Sequence, residues 1–257
     1  MPRFAVIIPA CNEAEALPYV LPRLSETLDP QEFVMAVGAN GCTDETIRIS
    51  REHGAIVGET GERGYGYGCQ AAIDGVSAAH PTVEAYIFFA ADGANDPRDI
   101  SKLVAAYDEG SPFVLGQRTR LRANWKTMTP SHVFANRILG GWCGLLTGRF
   151  FCDLGPLRLI DRTVFETLAL REWTYGWTIE PQILAGRLGI AVREVDVSES
   201  PRIAGEQKVS QVNWRRTLRI GGEIFAAGWR SRFRSLAYQC PTPHRTPLRC
   251  KDSPNPV

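Results

Sequence analysis

The sequence has no CxxC pair, and its seven cysteines are scattered along 257 residues. An odd number of scattered cysteines argues against both a disulfide framework and a structural zinc site. The chain also has no apolar run of the roughly 20 residues that a membrane-spanning helix needs. Its first segment, MPRFAVIIPACNEAE, does not resemble a secretory signal, because it lacks a small-residue cleavage site. These absences lead us to expect a protein of the reducing cytoplasm.

The chain has almost no net charge, because 29 lysines and arginines stand against 28 aspartates and glutamates. Without a global positive field, the protein as a whole is not held on nucleic acid, and we expect no nucleic-acid partner. Any basic site must be local. A chain of 257 residues, 44% of them hydrophobic, is long enough to bury one substantial core.

Short apolar runs rich in β-forming residues alternate with longer segments of helical period. The predicted strands are 4–8, 33–37, 85–89 and 113–115, and the predicted helices are 13–26, 43–53, 67–79, 97–109 and 131–147. This alternation predicts a single α/β domain with a mostly parallel central sheet flanked by helices. The segment from 240 onward contains five prolines and no apolar period, so we predict a disordered tail at 236–257.

In such sheets, ligands bind beyond the carboxyl ends of the strands. Small or polar residues follow the predicted strands there, at 9–13, 38–41 and 90–92. Asp92 could supply the carboxylate oxygen that holds a divalent cation on a nucleotide diphosphate. Alternatively, Asp92 only begins a turn with Gly93. The expected convergence of the three strand ends favours the first interpretation.

A glycine-rich segment, Arg63-Gly64-Tyr65-Gly66-Tyr67-Gly68, precedes a predicted helix. Its exposed backbone N–H groups could contact phosphate or ribose. An ordinary turn is the alternative. The segment is not a dinucleotide-binding fingerprint, since its glycines do not directly follow a convincing first strand.

Charged residues of the second half form another candidate set. Arginine and lysine side chains that converge from separate segments suit the binding of phosphates, although each alone is typical of a solvated surface. Asp153 and Glu180 lie in apolar or aromatic surroundings, where a carboxylate needs a partner or a function. For Asp153, a buried salt bridge to Arg158 is the alternative to catalysis.

Taken in order, these segments resemble family 2 glycosyltransferases of the GT-A fold, and within them the branch of dolichol-phosphate mannose synthase and polyprenyl-phosphate glycosyltransferases. The resemblance covers roughly residues 3–210. The matching motifs are Ile7-Ile8-Pro9-Ala10-Cys11-Asn12-Glu13, Asn40-Gly41-Cys42-Thr43-Asp44-Glu45-Thr46, Arg63-Gly64-Tyr65-Gly66, Asp92, Gly116-Gln117-Arg118, Asp153-Leu154-Gly155-Pro156-Leu157-Arg158, Glu180 and Arg202-Ile203-Ala204-Gly205-Glu206-Gln207-Lys208.

The resemblance implies one GT-A domain at 1–235, with a nucleotide-sugar-binding half (1–115) and an acceptor-binding half (116–235). It assigns donor binding to Pro9, Ala10, Asn12, Glu13, Ala39, Asn40, Gly41, Arg63, Gly64, Asp92, Arg202 and Lys208. It assigns acceptor binding to Arg118, Arg137 and Arg158. Asp92 is the implied ligand of Mg²⁺ or Mn²⁺, and Asp153 and Glu180 are the candidate catalytic residues.

The implied reaction transfers a hexose, with inversion, from a UDP- or GDP-sugar to a polyprenyl phosphate. Such a phosphate is already a nucleophile at neutral pH, whereas a hydroxyl acceptor would need a base such as Asp153 or Glu180. Two alternatives stay open: a soluble enzyme acting on a small-molecule hydroxyl or amine, and a non-catalytic homologue that binds nucleotide sugars.

The chain departs from the family pattern at two positions. Ala39 stands where the family usually has an Asp ahead of Asn-Gly, and Ala90 stands at the first position of Asp-x-Asp. Mg²⁺ can be held by one or two protein carboxylates together with substrate phosphates, so Asp92 could suffice. The arginine-rich segment 214–233 could lie on an anionic bilayer as an amphipathic helix, which would give peripheral membrane contact, or could pack on the sheet.

Overall fold

The computed structural model describes residues 1–128, 130–204 and 214–235; for 130–132 and 214–218 it describes the backbone. The strands are β1 (Phe4–Ala10), β2 (Phe33–Asn40), β3 (Ile56–Thr60), β4 (Ala85–Phe88), β5 (Phe113–Gln117), β6 (Arg158–Asp161) and β7 (Val192–Asp196). The helices are α1 (Leu17–Thr27), α2 (Thr46–Glu52), α3 (Tyr65–Ala79), α4 (Ile100–Asp108), α5 (Pro130–Thr147), α6 (Arg162–Leu168), α7 (Glu180–Leu188) and α8 (Trp214–Phe233). Lys208 and the predicted tail lie outside the described residues.

The strands form one sheet in the order β3-β2-β1-β4-β6-β5-β7. Strand β6 is antiparallel to both of its neighbours, β4 and β5, and the other pairs are parallel. The predicted single α/β domain with a mostly parallel sheet is therefore confirmed.

Strand β1 is buried on both faces, which explains its nearly continuous apolar sequence. Ala5 and Ile7 pack on the side of α3, while Phe4, Val6 and Ile8 pack with α1 and α4. Helices thus cover both faces of the sheet. Within the described residues, no helix combines the length and the apolarity needed to cross a bilayer.

Helix α1 begins at Leu17, later than the predicted position 13. The backbone N–H groups of Glu13 and Ala14 donate to the side chains of Thr46 and Asp44, so these residues belong to a loop that is tied to the next loop. Strands β3, β6 and β7 were not predicted. They are short, and β6 carries Arg158 and Asp161 within four residues, which hides its apolar pattern.

Helix α3 lies unusually close to β2. A Cβ atom added at Gly38 would be 1.8 Å from the carbonyl oxygen of Gly68. Only glycine at position 38 permits this close approach, because the side chain of any larger residue would overlap the helix backbone. It brings the beginning of α3 beside the carboxyl end of β2.

Candidate active site

The carboxyl ends of β1, β2 and β4 lie side by side in the sheet, and the loops after β1 and β2 are bonded to each other. The Asn12 side chain accepts a hydrogen bond from the Thr43 N–H at 2.7 Å, and its amide donates to the Thr43 hydroxyl at 3.1 Å. Asn12 has a φ of 54°, a left-handed conformation that Asn tolerates better than most residues. Pro9 and Ala10 form the end of β1. The strand ends therefore converge on one edge, as the sequence predicts, and we call this edge the strand-end platform.

The glycine-rich segment folds onto the same edge. The Asn40 side-chain amide donates to the carbonyl oxygen of Gly64 at 2.8 Å. A Cβ added at Gly41 would be 2.6 Å from Cγ of Arg63, so the aliphatic part of that arginine covers the turn after β2. The structure thus brings Asn40, Gly41, Arg63 and Gly64 together, beside the buried Ala39.

Asp92 lies in a turn just after β4. Its Oδ1 accepts from the Ala94 N–H at 3.0 Å, and its Oδ2 is 3.7 Å from Nη1 of Arg202. The guanidinium of Arg202 also forms an ion pair with Glu13. Three residues that are far apart in sequence, Glu13, Asp92 and Arg202, therefore meet at the strand ends, as the family resemblance implies for a donor site. The main chain at Ala90 is held by Asn95, whose Oδ1 accepts the Ala90 N–H at 3.1 Å.

Asp153 is held by Arg118. Nε and Nη2 of Arg118 donate to the two carboxylate oxygens of Asp153 at 2.8 and 2.9 Å. The backbone N–H groups of Arg118 and Leu154 donate to the same two oxygens. The salt bridge of Asp153 is thus to Arg118, and the alternative pairing with Arg158 is wrong. Since both oxygens are engaged in a buried, bidentate pair, the contacts favour a positioning role for Asp153 over proton transfer.

Arg158 points into the core. It donates to the carbonyl oxygens of Gly155 and Thr178 at 2.6 and 3.3 Å, and its guanidinium carbon lies 5.3 Å from the centre of the Trp177 ring. Burial lowers the pKa of this fully covered guanidinium. In this arrangement Arg158 is not placed to bind an acceptor, in contrast to the predicted role, because its side chain is fully buried and is bonded to backbone carbonyls. Arg137 is exposed on α5.

Glu180 is a buried link between helices. Its carboxylate accepts the backbone N–H groups of Arg171 and Glu172 at 2.9 and 2.8 Å and pairs with Arg234 at 2.8 Å. Burial raises its pKa, while these hydrogen bonds and Arg234 act in the opposite direction. The contacts favour a structural role, which joins the start of α7 to the end of α8, over the predicted catalysis.

Glu199 was not singled out from the sequence. It pairs with Asn95 in an antiparallel bridge, and the Ser200 N–H donates to the Ala94 carbonyl at 2.8 Å, so the chain after β7 runs beside the Asp92 turn. Oε1 of Glu199 accepts from Nη1 of Arg118 at 3.0 Å. Its Oε2 is buried without a hydrogen-bond partner among the described residues.

Burial raises the pKa of Glu199 to about 7; Arg118 opposes this rise, and the charge of Asp92 adds to it. A buried carboxylate with a pKa raised toward neutrality, next to the Asp92 turn, is a candidate proton acceptor. The polar segment around Glu199 has no motif or period that would reveal this from the sequence.

Comparison with known sequences identifies relatives of this chain. The family described as glycosyl transferase family 2 matches residues 5–168. An uncharacterized glycosyltransferase of Mycobacterium tuberculosis (strain H37Rv) is 32% identical over 207 residues, which are 80% of this chain and 88% of that protein. An uncharacterized glycosyltransferase of Mycobacterium bovis matches with the same identity and coverage.

The fold resembles solved structures of glucosyl-3-phosphoglycerate synthase from Mycobacterium tuberculosis. Its complex with phosphoglyceric acid has a TM-score of 0.65 and 20% identity, over 90% of this chain and 80% of that one. Its complex with Mn²⁺, UDP and glucosyl-3-phosphoglycerate has a TM-score of 0.65 and 19% identity, with the same coverage. These structural neighbours are not the polyprenyl-phosphate branch that the motifs suggested. The family match spans well over half of the chain and includes β1, β2, β4 and the Asp92 turn; the chain therefore belongs to glycosyl transferase family 2 and is a glycosyltransferase of the GT-A fold.

Proposed function

We propose that this enzyme transfers a hexose, with inversion, from a UDP-sugar to a hydroxyl group of a small anionic acceptor. The observation that carries the proposal is Glu199, a buried carboxylate with one unpartnered oxygen beside the Asp92 turn. A hydroxyl acceptor needs such a base, whereas a phosphate acceptor does not. The neighbouring structures, which hold UDP-glucose with glycerol 3-phosphate or phosphoglyceric acid, support the same substrate classes.

The donor would bind at the strand-end platform. The loops at 9–13 and 39–41 would hold the nucleoside, and Arg63 with Gly64 would close over it. Ala39 offers no carboxylate to the base, so recognition would rest on backbone groups and on Asn40. Arg202 would turn from Glu13 and Asp92 to the diphosphate, for which its planar guanidinium is suited.

The residues present fit a divalent cation at Asp92. One Asp92 oxygen is held by the Ala94 N–H, and the other faces the Arg202 cation at 3.7 Å. Among the described residues, no three His, Cys, Asp or Glu side chains form a ready metal cluster. Mg²⁺ or Mn²⁺ would therefore be bound by Asp92 together with diphosphate oxygens. Such a cation stabilises the charge that develops on the leaving diphosphate.

In the proposed transfer, the acceptor oxygen forms a bond to the anomeric carbon as the bond from that carbon to the diphosphate oxygen breaks. The hydroxyl proton goes to Glu199, and the nucleoside diphosphate leaves. Arg118 holds Glu199 in position through a 3.0 Å hydrogen bond. The carboxylates of Asp153 and Glu180 are less suited to this step, since their oxygens already accept several hydrogen bonds.

Transfer to a polyprenyl phosphate stays a prediction with less support. It would require Arg118 to clamp the acceptor phosphate, and Arg118 is already bonded to Asp153 and Glu199. A purely binding, non-catalytic role is the remaining alternative.

Calorimetric titration with UDP-glucose and GDP-mannose, with and without Mn²⁺ or Mg²⁺, tests the proposal. We expect metal-dependent binding of the UDP-sugar, and we expect Asp92→Asn to abolish the metal-dependent part because it removes the hard anionic ligand. Asp74→Asn, on the exposed face of α3, is the matched control and should bind like the wild type. Equal, metal-independent titration curves for all three proteins would exclude a metal-assisted donor site at Asp92.

Turnover separates catalysis from binding. Mass spectrometry of reactions with small phosphorylated hydroxy acids should detect a hexose adduct. Glu199→Gln should still bind the donor but should turn over about 10² to 10⁴ times more slowly, the usual contribution of a general base. Donor binding without any adduct in the wild type would favour the non-catalytic alternative.

A further inference from the structure

Among the described residues, several exposed apolar side chains lie on the neighbouring helices α5 and α8 and in the loop that follows α5. We call this surface the aromatic face; it is formed by Phe134, Ile138, Leu145, Phe150, Trp229 and Phe233. Leu145 is 77% exposed, and Phe134 and Phe150 are each 67% exposed. Single exposed hydrophobic residues are ordinary, but a contiguous group of them marks an interaction site.

The aromatic face is continuous across α5 and α8. In α5, the spacing of Phe134, Ile138 and Leu145 puts these side chains on one side of the helix. Trp142 lies beside that stripe and stacks on Trp229 of α8, with ring centres 6.2 Å apart. Trp229 in turn contacts Phe233, at 4.6 Å between ring centres.

The same two helices are strongly basic. They contain six arginines and a single acidic residue, Glu223. The arginines are Arg137, Arg215, Arg216, Arg219, Arg230 and Arg232. Among the side chains that the structure describes, Arg219 is paired with Glu223 and Arg230 with Glu172. The whole chain has a net charge of +1, so this excess of positive charge is a local property of α5 and α8.

Apolar side chains and positive charge on the same two helices decide between two possible partners of the aromatic face. A second copy of the chain, docked by the same face, would bring the basic helices of both copies together, and like charges across an interface oppose association. An anionic lipid surface suits both the apolar side chains and the positive charge. The Phe, Leu and Trp side chains can enter the boundary of the acyl chains, and the long arginine side chains can reach the headgroup phosphates.

We propose that the aromatic face of α5 and α8 docks the enzyme on the surface of an anionic lipid bilayer. The helices lie in the plane of the interface, with Phe134, Leu145 and Trp229 at the headgroup boundary. Docking does not depend on the identity of the sugar acceptor, so it can be tested apart from the proposed transfer reaction.

Co-sedimentation with vesicles tests the docking. We expect the wild type to bind vesicles of phosphatidylcholine mixed with phosphatidylglycerol, to bind pure phosphatidylcholine weakly, and to dissociate in high salt. The double variant Phe134→Ser, Leu145→Ser should lose on the order of tenfold or more in vesicle affinity, since it removes two apolar side chains from the acyl boundary. Tyr19→Ser is the control, because Tyr19 is 57% exposed on α1, away from α5 and α8.

A second measurement uses the unmodified protein. Brominated phosphatidylcholine in the anionic vesicles should quench tryptophan fluorescence, because Trp142 and Trp229 lie in or beside the aromatic face. Absence of vesicle binding, equal binding by the double variant and Tyr19→Ser, or binding without quenching would each overturn the proposal. So would sedimentation of the free protein as a dimer that the double variant dissociates, since the face would then hold a second copy.

Discussion

Arg118 pairs with two carboxylates, Asp153 and Glu199, but its hydrogen bonds are divided unequally between them. Asp153 takes the bidentate pair, and Glu199 receives a single hydrogen bond from the remaining nitrogen. Two negative groups and one positive group in a poorly solvated place leave a net negative charge. Burial raises the pKa of Glu199 to about 7, and its single hydrogen bond from Arg118 opposes this rise only in part.

The raised pKa of Glu199 predicts a pH dependence of stability. Between its ordinary value of 4.5 and about 7, the folded protein keeps a proton that the unfolded chain has released. The contribution of Glu199 to stability is therefore full below pH 4.5 and is lost as the pH rises through 7. Glu199→Gln has no titrating group at this position, so it cannot lose this stability. As the pH rises from 4.5 to about 7, the free energy of unfolding of the variant should therefore gain roughly 1–3 kcal/mol relative to that of the wild type.

Urea unfolding of both proteins at several pH values measures this difference. Arg118 and Asp92, which set the shift together with burial, are unchanged in the variant. Parallel stability curves for the two proteins from pH 4 to 8 would mean that Glu199 titrates in the folded state as it does in a free peptide.

At the scale of elements, the contact between α3 and β2 sets where the glycine-rich segment lies. The helix backbone at Gly68 approaches the strand at Gly38, and the Asn40 amide then reaches the carbonyl oxygen of Gly64. A helix placed farther from the sheet would break this hydrogen bond and open the platform. The proposed donor site therefore depends on the close approach of Gly38 and Gly68.

Gly38→Ala is expected to destabilise the fold by about 1–3 kcal/mol, because its methyl group would overlap the Gly68 carbonyl. It should also weaken donor binding, since α3 must shift. Gly222→Ala is the control: no atom lies within 4 Å of an added Cβ there, and alanine in a helix is better than glycine by about 1 kcal/mol. Thermal unfolding and calorimetry measure both effects. If the two variants had equal stability, the close approach at Gly38 would not be a constraint.

The strands and the site residues differ in how well they can be predicted from the sequence. Strands β1, β2, β4 and β5 could be predicted because buried strands leave short, nearly continuous apolar runs. Asp92 and Asn12 could be assigned to one edge because parallel strands end together. Glu199 could not, because its position arises from an antiparallel bridge to Asn95 between two irregular segments. The partner of Asp153 was misjudged for a related reason: Arg118 and Asp153 belong to loops whose approach no local pattern encodes.

At the scale of the whole molecule, the candidate site joins the segments that follow the first and the last strand of the sheet. Glu13 follows the first strand, and Arg202 follows the last strand of the sheet. Their ion pair, with Asp92 beside it, connects segments that the rest of the fold separates. A ligand at this place should stabilise the entire domain and not one loop.

We therefore expect the thermal midpoint to rise when a metal and the correct donor are added together. At a donor concentration about 100 times its Kd, the gain is about 2.7 kcal/mol. The metal-dependent part of this gain should be missing in Asp92→Asn and present in Asp74→Asn. Differential scanning calorimetry with each donor, with metal and with chelator, measures it. A midpoint that rises equally in all three proteins would indicate binding elsewhere.

The Arg202 ion pair has one more consequence, for the way the enzyme responds to ionic strength. Before the donor arrives, the guanidinium already has a carboxylate partner in Glu13. In the proposed binding event, the diphosphate would replace the Glu13 carboxylate as the partner of a guanidinium that is mostly shielded from solvent. Because few bulk ions would be released in this exchange, the affinity for the nucleotide should fall only slightly as the salt concentration rises. Binding to an unpaired, solvent-exposed arginine would fall more steeply.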